Sequence, residues 1–188
     1  MTLCMNQVLI TQVSDIAVNA FSVISYIASF TVAIFNGTSE GLQPLFGQAC
    51  GAKNDKDLKY YFKSGVLINF IGGTVITVAV ILLSRPICML FGAEGETLNC
   101  VVTALPMYAW GFIIQAFNMM IVSYLYSTER ATRATVISLL RGIVFAVAVT
   151  FAVPAIFHGN SVWFTMGIYE VMSLIVAVML LKTQSRET

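Results

Sequence analysis

The chain has 188 residues, of which 58% are apolar and only 10% are Asp, Glu, Lys or Arg. Soluble domains carry about 25% charged residues, so this composition, with a mean hydropathy of +0.85, excludes a water-facing globule and predicts an integral membrane protein. A formal net charge of +1 supplies no basic surface for nucleic acid, and nucleic-acid and soluble-enzyme readings fall together.

A helix needs about 20 apolar residues to cross the hydrocarbon core, so runs free of Asp, Glu, Lys and Arg test for spans directly. Residues 1–14 cover about 21 Å at the helical rise, short of the roughly 30 Å core. They are read as a partial helix, and the chain is expected to begin inside that helix. With no basic n-region and no small-residue cleavage site, no cleavable signal peptide is expected. Residues 16–39 are free of charge, and apolar character resumes past Glu40 as far as Gly47, which predicts a span over about 18–47. Residues 64–84 predict a span at 62–84, and residues 97–128 one at 98–126 with a kink at Pro106. Residues 142–169 contain the turn signal His158-Gly159-Asn160. They split into helices at 134–157 and 161–182, the last interrupted only by Glu170. No segment alternates as a barrel strand would. The expected fold is an all-α membrane protein, a helical bundle of five full transmembrane helices plus one partial, forming a single transmembrane lobe over 1–188.

The connections orient the bundle. Taken in order they carry four, one, three, no and two basic residues: Lys53, Lys56, Lys59 and Lys63; Arg85; Arg130, Arg133 and Arg141; none; Lys182 and Arg186. Nine of the ten therefore lie on one side, which the positive-inside rule makes cytoplasmic, together with the C-terminus. A cell-membrane, multi-pass protein is expected. In the 48–63 connection Asn54 or Asp55 is a candidate N-cap. Leu58, Tyr61 and Phe62 share a helical face there, which fits a short interfacial helix leading into the next span, or an ordinary snorkelling loop.

Polar groups inside spans are the candidate functional residues. Glu170 lies about 15 Å from either end of its helix, where an ionised carboxylate facing lipid would cost several kcal/mol. It is expected to face the bundle interior or a wet cavity, as proton relay, cation counter-charge or helix tie. Glu40 lies in Asn36-Gly37-Thr38-Ser39-Glu40-Gly41-Leu42-Gln43-Pro44, a polar, Gly- and Pro-bearing interruption of the kind that lines transporter cavities. Arg141 either snorkels or pairs with Glu40 at similar depth. Gln115 and Asn118, three apart on one helical face, either contact a substrate or tie neighbouring helices, and Asn69 reads the same way. Aromatic residues including Tyr26, Phe30, Tyr108 and Trp110, with nine Met, either line a pocket for flat organic cations or pack against lipid and protein. Cys4, Cys50, Cys88 and Cys100 form no CxxC pair and have no His at ligand spacing, so they read as small apolar side chains, with no metal site or cofactor expected. No nucleophile–base set or phosphate-binding loop is present, and Gly72-Gly73 reads as a place of close helix packing.

The order of these features resembles a known family. The segment from Gly37 to Gln48 followed by Gly51-Ala52-Lys53-Asn54 is similar to the second helix and exit of a lobe in the multidrug and toxic compound extrusion (MATE) family. Residues 127–135, then Ser138-Leu139-Leu140-Arg141-Gly142, resemble the start of the penultimate helix. Pro154, His158-Gly159 and Val162-Trp163 through Glu170 resemble the last hairpin. The resemblance implies the C-terminal lobe, short of the start of its first helix, of a twelve-helix transporter that exchanges H⁺ or Na⁺ for organic cations by alternating access. Its partner would be the N-terminal lobe or a second copy. It also implies departures. The first helix offers Asn6, Gln7 and Gln12 but no acid before Asp15, and Gln115 and Asn118 stand where some members carry an acid. Coupling would then rest on Glu170 and Glu40, or on the other lobe. Two alternatives stand beside it: a flippase of lipid-linked precursors from the same superfamily, and a truncated membrane subunit without transport of its own.

Overall fold

A computed structural model describes residues 2–12, 14–157 and 159–184. The described residues are helical throughout, with short joints, and contain no strand. The chain opens with α1 (Thr2–Gln12) and α2 (Asp15–Gly41). Ser14 caps α2, its hydroxyl accepting the Ala17 N–H at 3.2 Å, with Asp15 favourably placed in the first turn. After Leu42, which keeps right-handed helical angles, α3 (Gln43–Gly51) resumes with Pro44 in its first turn, where a missing N–H costs nothing. The polar interruption expected around residues 36–44 is thus a one-residue joint, and α2 with α3 makes one span, Asp15–Gly51. It starts earlier and ends later than the expected 18–47 because its polar ends are capped rather than frayed.

Next come α4 (Asp55–Leu82), α5 (Ser84–Leu90) and α6 (Gly95–Ser127). Asn54 caps α4: its Oδ1 accepts the Asp57 N–H and its Nδ2 donates to the Asp57 carboxylate at 2.7 Å. A separate interfacial helix does not form, since the capped first turns run straight into the span. α6 passes unbroken through Pro106. The final hairpin consists of α7 (Ala131–Leu139), a π-helical turn (Leu140–Phe145), α8 (Ala146–Phe157), a 3₁₀ turn (Gly159–Phe164) and α9 (Thr165–Gln184). His158 and Arg186, read as turn and tail, lie outside the described residues.

Among the described residues, five helical segments are long and apolar enough to cross a membrane: Asp15–Gly51, Asp55–Leu82, Gly95–Ser127, Ala131–Phe157 and Ser161–Leu181. The faces of α4 show how lipid and protein divide them. Leu67, Ile71, Val75, Val78 and Leu82 form an exposed apolar stripe at helical spacing, as a lipid-facing surface requires. Gly65, Asn69, Gly73 and Thr77, each four apart, form the buried stripe. Small residues let this face approach α6. A Cβ on Gly73 would stand 3.4 Å from Ala116 Cβ and Ile113 Cα, whereas one on Gly72 would meet nothing. Of the two glycines, only Gly73 makes the close packing. Asn69 ties the layer together, its Oδ1 accepting from Thr38 Oγ1 at 3.3 Å and its Nδ2 donating to the Gly65 carbonyl at 3.0 Å.

The centre of the bundle is α6, which packs against α2, α3, α4, α5, α7 and α9 and buries residues around its whole circumference. Its approach to α9 is glycine-on-glycine. A Cβ on Gly111 would lie 3.0 Å from the Gly167 backbone, and one on Gly167 would enter the Trp110 indole. That contact brings the last helix close enough for its acid to meet α6.

Candidate functional site

Glu170 is wholly buried and faces the bundle interior, not lipid. Arg141 Nε donates to both carboxylate oxygens at 2.9 Å, and Nη2 lies 2.9 Å from Oε1. Asn118 Nδ2 completes the shell, donating to Oε2 at 2.7 Å and to the Glu170 carbonyl at 2.9 Å. The acid is therefore shielded by a fork of charge-assisted bonds. Such pairing is what allows an ionised group at mid-depth.

Depth alone does not explain this partnership. Arg141 stands ten residues into its span and Glu170 eleven from the end of its own, about 15 Å each, but Glu40 is equally deep from the end of the first span. The packing decides. The Arg141 turn packs on α9, while α2, which carries Glu40, packs on α1, α4 and α6. The expected Arg141–Glu40 pair is not formed, and Glu40 and Asn36 stay exposed on α2. Ser39, in the same segment, is buried, and its carbonyl accepts from Ser123 Oγ at 2.7 Å.

Arg141 sits in the π-helical turn, where a wider backbone re-aims a side chain. Its side chain is 20% exposed and, with Ser138, Gly142, Ala146, Tyr169 and Glu170, lines a cavity of about 240 Å³. A second cavity of about 260 Å³ lies among α1, α2, α6 and α9, walled in part by Phe21, Ser25, Ser29, Tyr108, Gln115 and Tyr169. Gln115 is only 5% exposed, and its Oε1 is buried with no hydrogen-bond partner among the described residues. The two amides predicted as a pair thus separate: Asn118 ties helices, and Gln115 lines a cavity with its Oε1 buried and unbonded among the described residues.

Tyr169 lines both cavities, and sequence reading missed it. Its one signal was adjacency to Glu170, and neighbouring residues on a helix point in different directions. Ser25 and Ser29 were missed as well, although a hydroxyl pair four apart in a charge-free helix is a visible polar stripe. Of the aromatic candidates, Tyr108 reaches the cavity wall, whereas Tyr26 and Phe30 are exposed and Phe35 and Phe112 are core residues. Oxygen acceptors beside phenol rings suit a protonated amine or another small cation.

A family model described as MatE matches residues 2–152. No curated protein matches the chain. Among solved structures, an outward-facing conformation of a multidrug resistance MATE family transporter of the MOP superfamily is similar at TM-score 0.88 and 17% identity, over 97% of this chain and 41% of that one. Its inward-facing counterpart is similar at 0.87 and 17% identity, over 96% and 42%. A MOP superfamily transporter from Pyrococcus furiosus, described as having a binding pocket of reverse polarity that suggests a different function, is similar at 0.85 and 16% identity, over 97% and 41%. At these identities the likeness establishes the fold, and the chain spans about two fifths of the length of each structure.

Proposed function

This chain belongs to the MATE family, whose members are transporters and not enzymes, and we propose from that membership that it forms the C-terminal lobe of a cation-coupled multidrug efflux antiporter. In this reading an N-terminal lobe, or a second copy, supplies the other half of the pathway. The lobe sits in the cell membrane with its C-terminus cytoplasmic. Small organic cations are exported by alternating access in exchange for H⁺ or Na⁺.

The observation that carries this reading is the cavity walled by Gln115, Ser25, Ser29, Tyr108 and Tyr169, where the buried Gln115 Oε1 has no hydrogen-bond partner among the described residues. An organic cation needs acceptors and π faces at such a wall, and a greasy body fits the Phe21 and Met166 side. Coupling falls to the Arg141–Glu170 fork. While the fork is closed, the pair adds no net charge to the cavities. Protonating Glu170, or drawing its carboxylate to Na⁺, would free Arg141, giving two states of different polarity beside the shared wall of Tyr169. Glu40 and Asn36, exposed on α2, would face the other lobe.

The test is efflux of a fluorescent organic cation from an efflux-deficient host making a two-lobe transporter that carries this chain. Gln115→Leu is expected to weaken export, and Glu170→Gln to abolish its dependence on the ion gradient. Unchanged, gradient-dependent export in both variants would remove these residues from the mechanism. A second reading rests on Arg141, which is 20% exposed in the 240 Å³ cavity while the Glu170 it shares the lining with has no exposed side-chain surface: transport of an anionic lipid precursor. Inhibition of cation efflux by a lipid pyrophosphate, lost in Arg141→Gln, would favour it.

A further inference from the structure

The largest of the described cavities, about 480 Å³, lies apart from both of those above, at the Lys-rich end of the bundle. The turn between α3 and α4, the start of α4, the end of α6, the α6–α7 turn and the end of α9 enclose it. Its polar lining is Lys53, Lys59, Arg130, Asp55, Tyr124 and Thr128, so three cations face one acid. Leu58, Phe62 and Leu181 add an apolar rim. The floor is aromatic: the Tyr124 ring lies 4.6 Å from Phe62, tilted by 55°, and 5.4 Å, edge-on, from Phe46. Lys53 and Arg130 reach the site from helix ends where Lys53 and Glu129 take left-handed backbone angles, φ 52° and 60°. Arg130 Nη1 is buried with no hydrogen-bond partner among the described residues.

A buried guanidinium nitrogen without an acceptor is costly unless a ligand satisfies it. Three cations around a cleft, with hydroxyls for orientation, match a phosphate group and not a cation. The cleft lies at the ends of the spans, with the half-buried Leu58, Phe62 and Leu181 on its rim. We propose that it is a binding site for a phosphate-bearing anion, matched best by the headgroup of an anionic phospholipid whose acyl chains leave over Leu58 and Leu181. The inference stands independently of the transport reading.

The test uses the full chain purified in a neutral detergent, with dioleoylphosphatidylglycerol, dioleoylphosphatidylcholine and inorganic phosphate as probes and bound molecules counted by native mass spectrometry. The wild type should retain phosphatidylglycerol at least about fivefold better than phosphatidylcholine, the scale of one basic contact. Lys53→Gln/Lys59→Gln/Arg130→Gln should erase that preference. Lys56→Gln/Lys63→Gln, which removes two nearby charges outside the cleft lining, should keep it. Arg130→Gln alone, with an unchanged melting temperature as evidence of folding, should lower it. Millimolar inorganic phosphate that binds alone and displaces phosphatidylglycerol would assign the site to free phosphate. The proposal is overturned if neither probe is preferred, or if the triple and control variants behave alike, since diffuse charge and not a built cleft would then be at work.

Discussion

Arg141 and Glu170 meet in a fork, with Nε 2.9 Å from both carboxylate oxygens and Nη2 2.9 Å from Oε1, at the same depth on two neighbouring helices of the last hairpin. Asn118, on the central helix, holds the same carboxylate at 2.7 Å. One charged group on each of two helices and one amide on a third make this the most highly bonded polar cluster described in the bundle interior.

Breaking one side of the fork should cost more than removing both. Arg141→Ala leaves the Glu170 carboxylate buried without its counter-charge, a loss of about 3–5 kcal/mol. Arg141→Met/Glu170→Met replaces the pair by apolar volume and should recover most of that. Thermal unfolding in detergent of the wild type, Arg141→Met, Glu170→Met and Arg141→Met/Glu170→Met closes the cycle. Additive single losses would mean that the pair is not coupled.

Gly111 and Gly167 should be intolerant of a methyl group, whereas Gly72 should gain from one. A Cβ on Gly111 meets backbone at 3.0 Å, so Gly111→Ala must push α6 and α9 apart at about 1–3 kcal/mol. Gly72→Ala meets nothing within 4 Å and should stabilise by up to about 1 kcal/mol through helix propensity. Melting temperatures of the two variants should move in opposite directions. A shift of the same sign would contradict the packing of α6 on α9.

Cys88 should resist alkylation in the folded protein. It is fully buried in α5, and that burial pushes its thiol above the ordinary range, so less thiolate is available at any given pH below it. Mass spectrometry after maleimide treatment at pH 8 should find Cys88 unmodified until the chain is unfolded. Rapid labelling would show that α5 opens.

Asn54→Ala should destabilise the start of α4 by about 1 kcal/mol, because it removes the acceptor for the Asp57 N–H and the bond to the Asp57 carboxylate. Asn54→Asp should restore the cap acceptor but place a third acid beside Asp55 and Asp57. Amide exchange at residues 55–58 reads the effect. Unchanged protection in Asn54→Ala would show that packing alone holds the turn.

How much of this was legible in residue order follows from what a membrane imposes. Lipid prices charge by depth, so charge-free runs located the spans, the lysine tally separated the two ends, and Glu170 had to face inward. Caps are local, so Asn54 could be read from its neighbours. Direction around a helix axis and the identity of neighbouring helices are not written locally. Arg141, Glu40 and Glu170 lie at comparable depth, and only the packing of the last two spans on one another selected the pair. The same reason separated Gln115 from Asn118 and Gly73 from Gly72. The π-helical turn at Arg141 has no residue signature of its own. Hydropathy along a chain is one-dimensional information about distance from water; which side chains meet at that distance depends on the three-dimensional fit of helix surfaces, where a glycine contact or a widened turn sets the outcome.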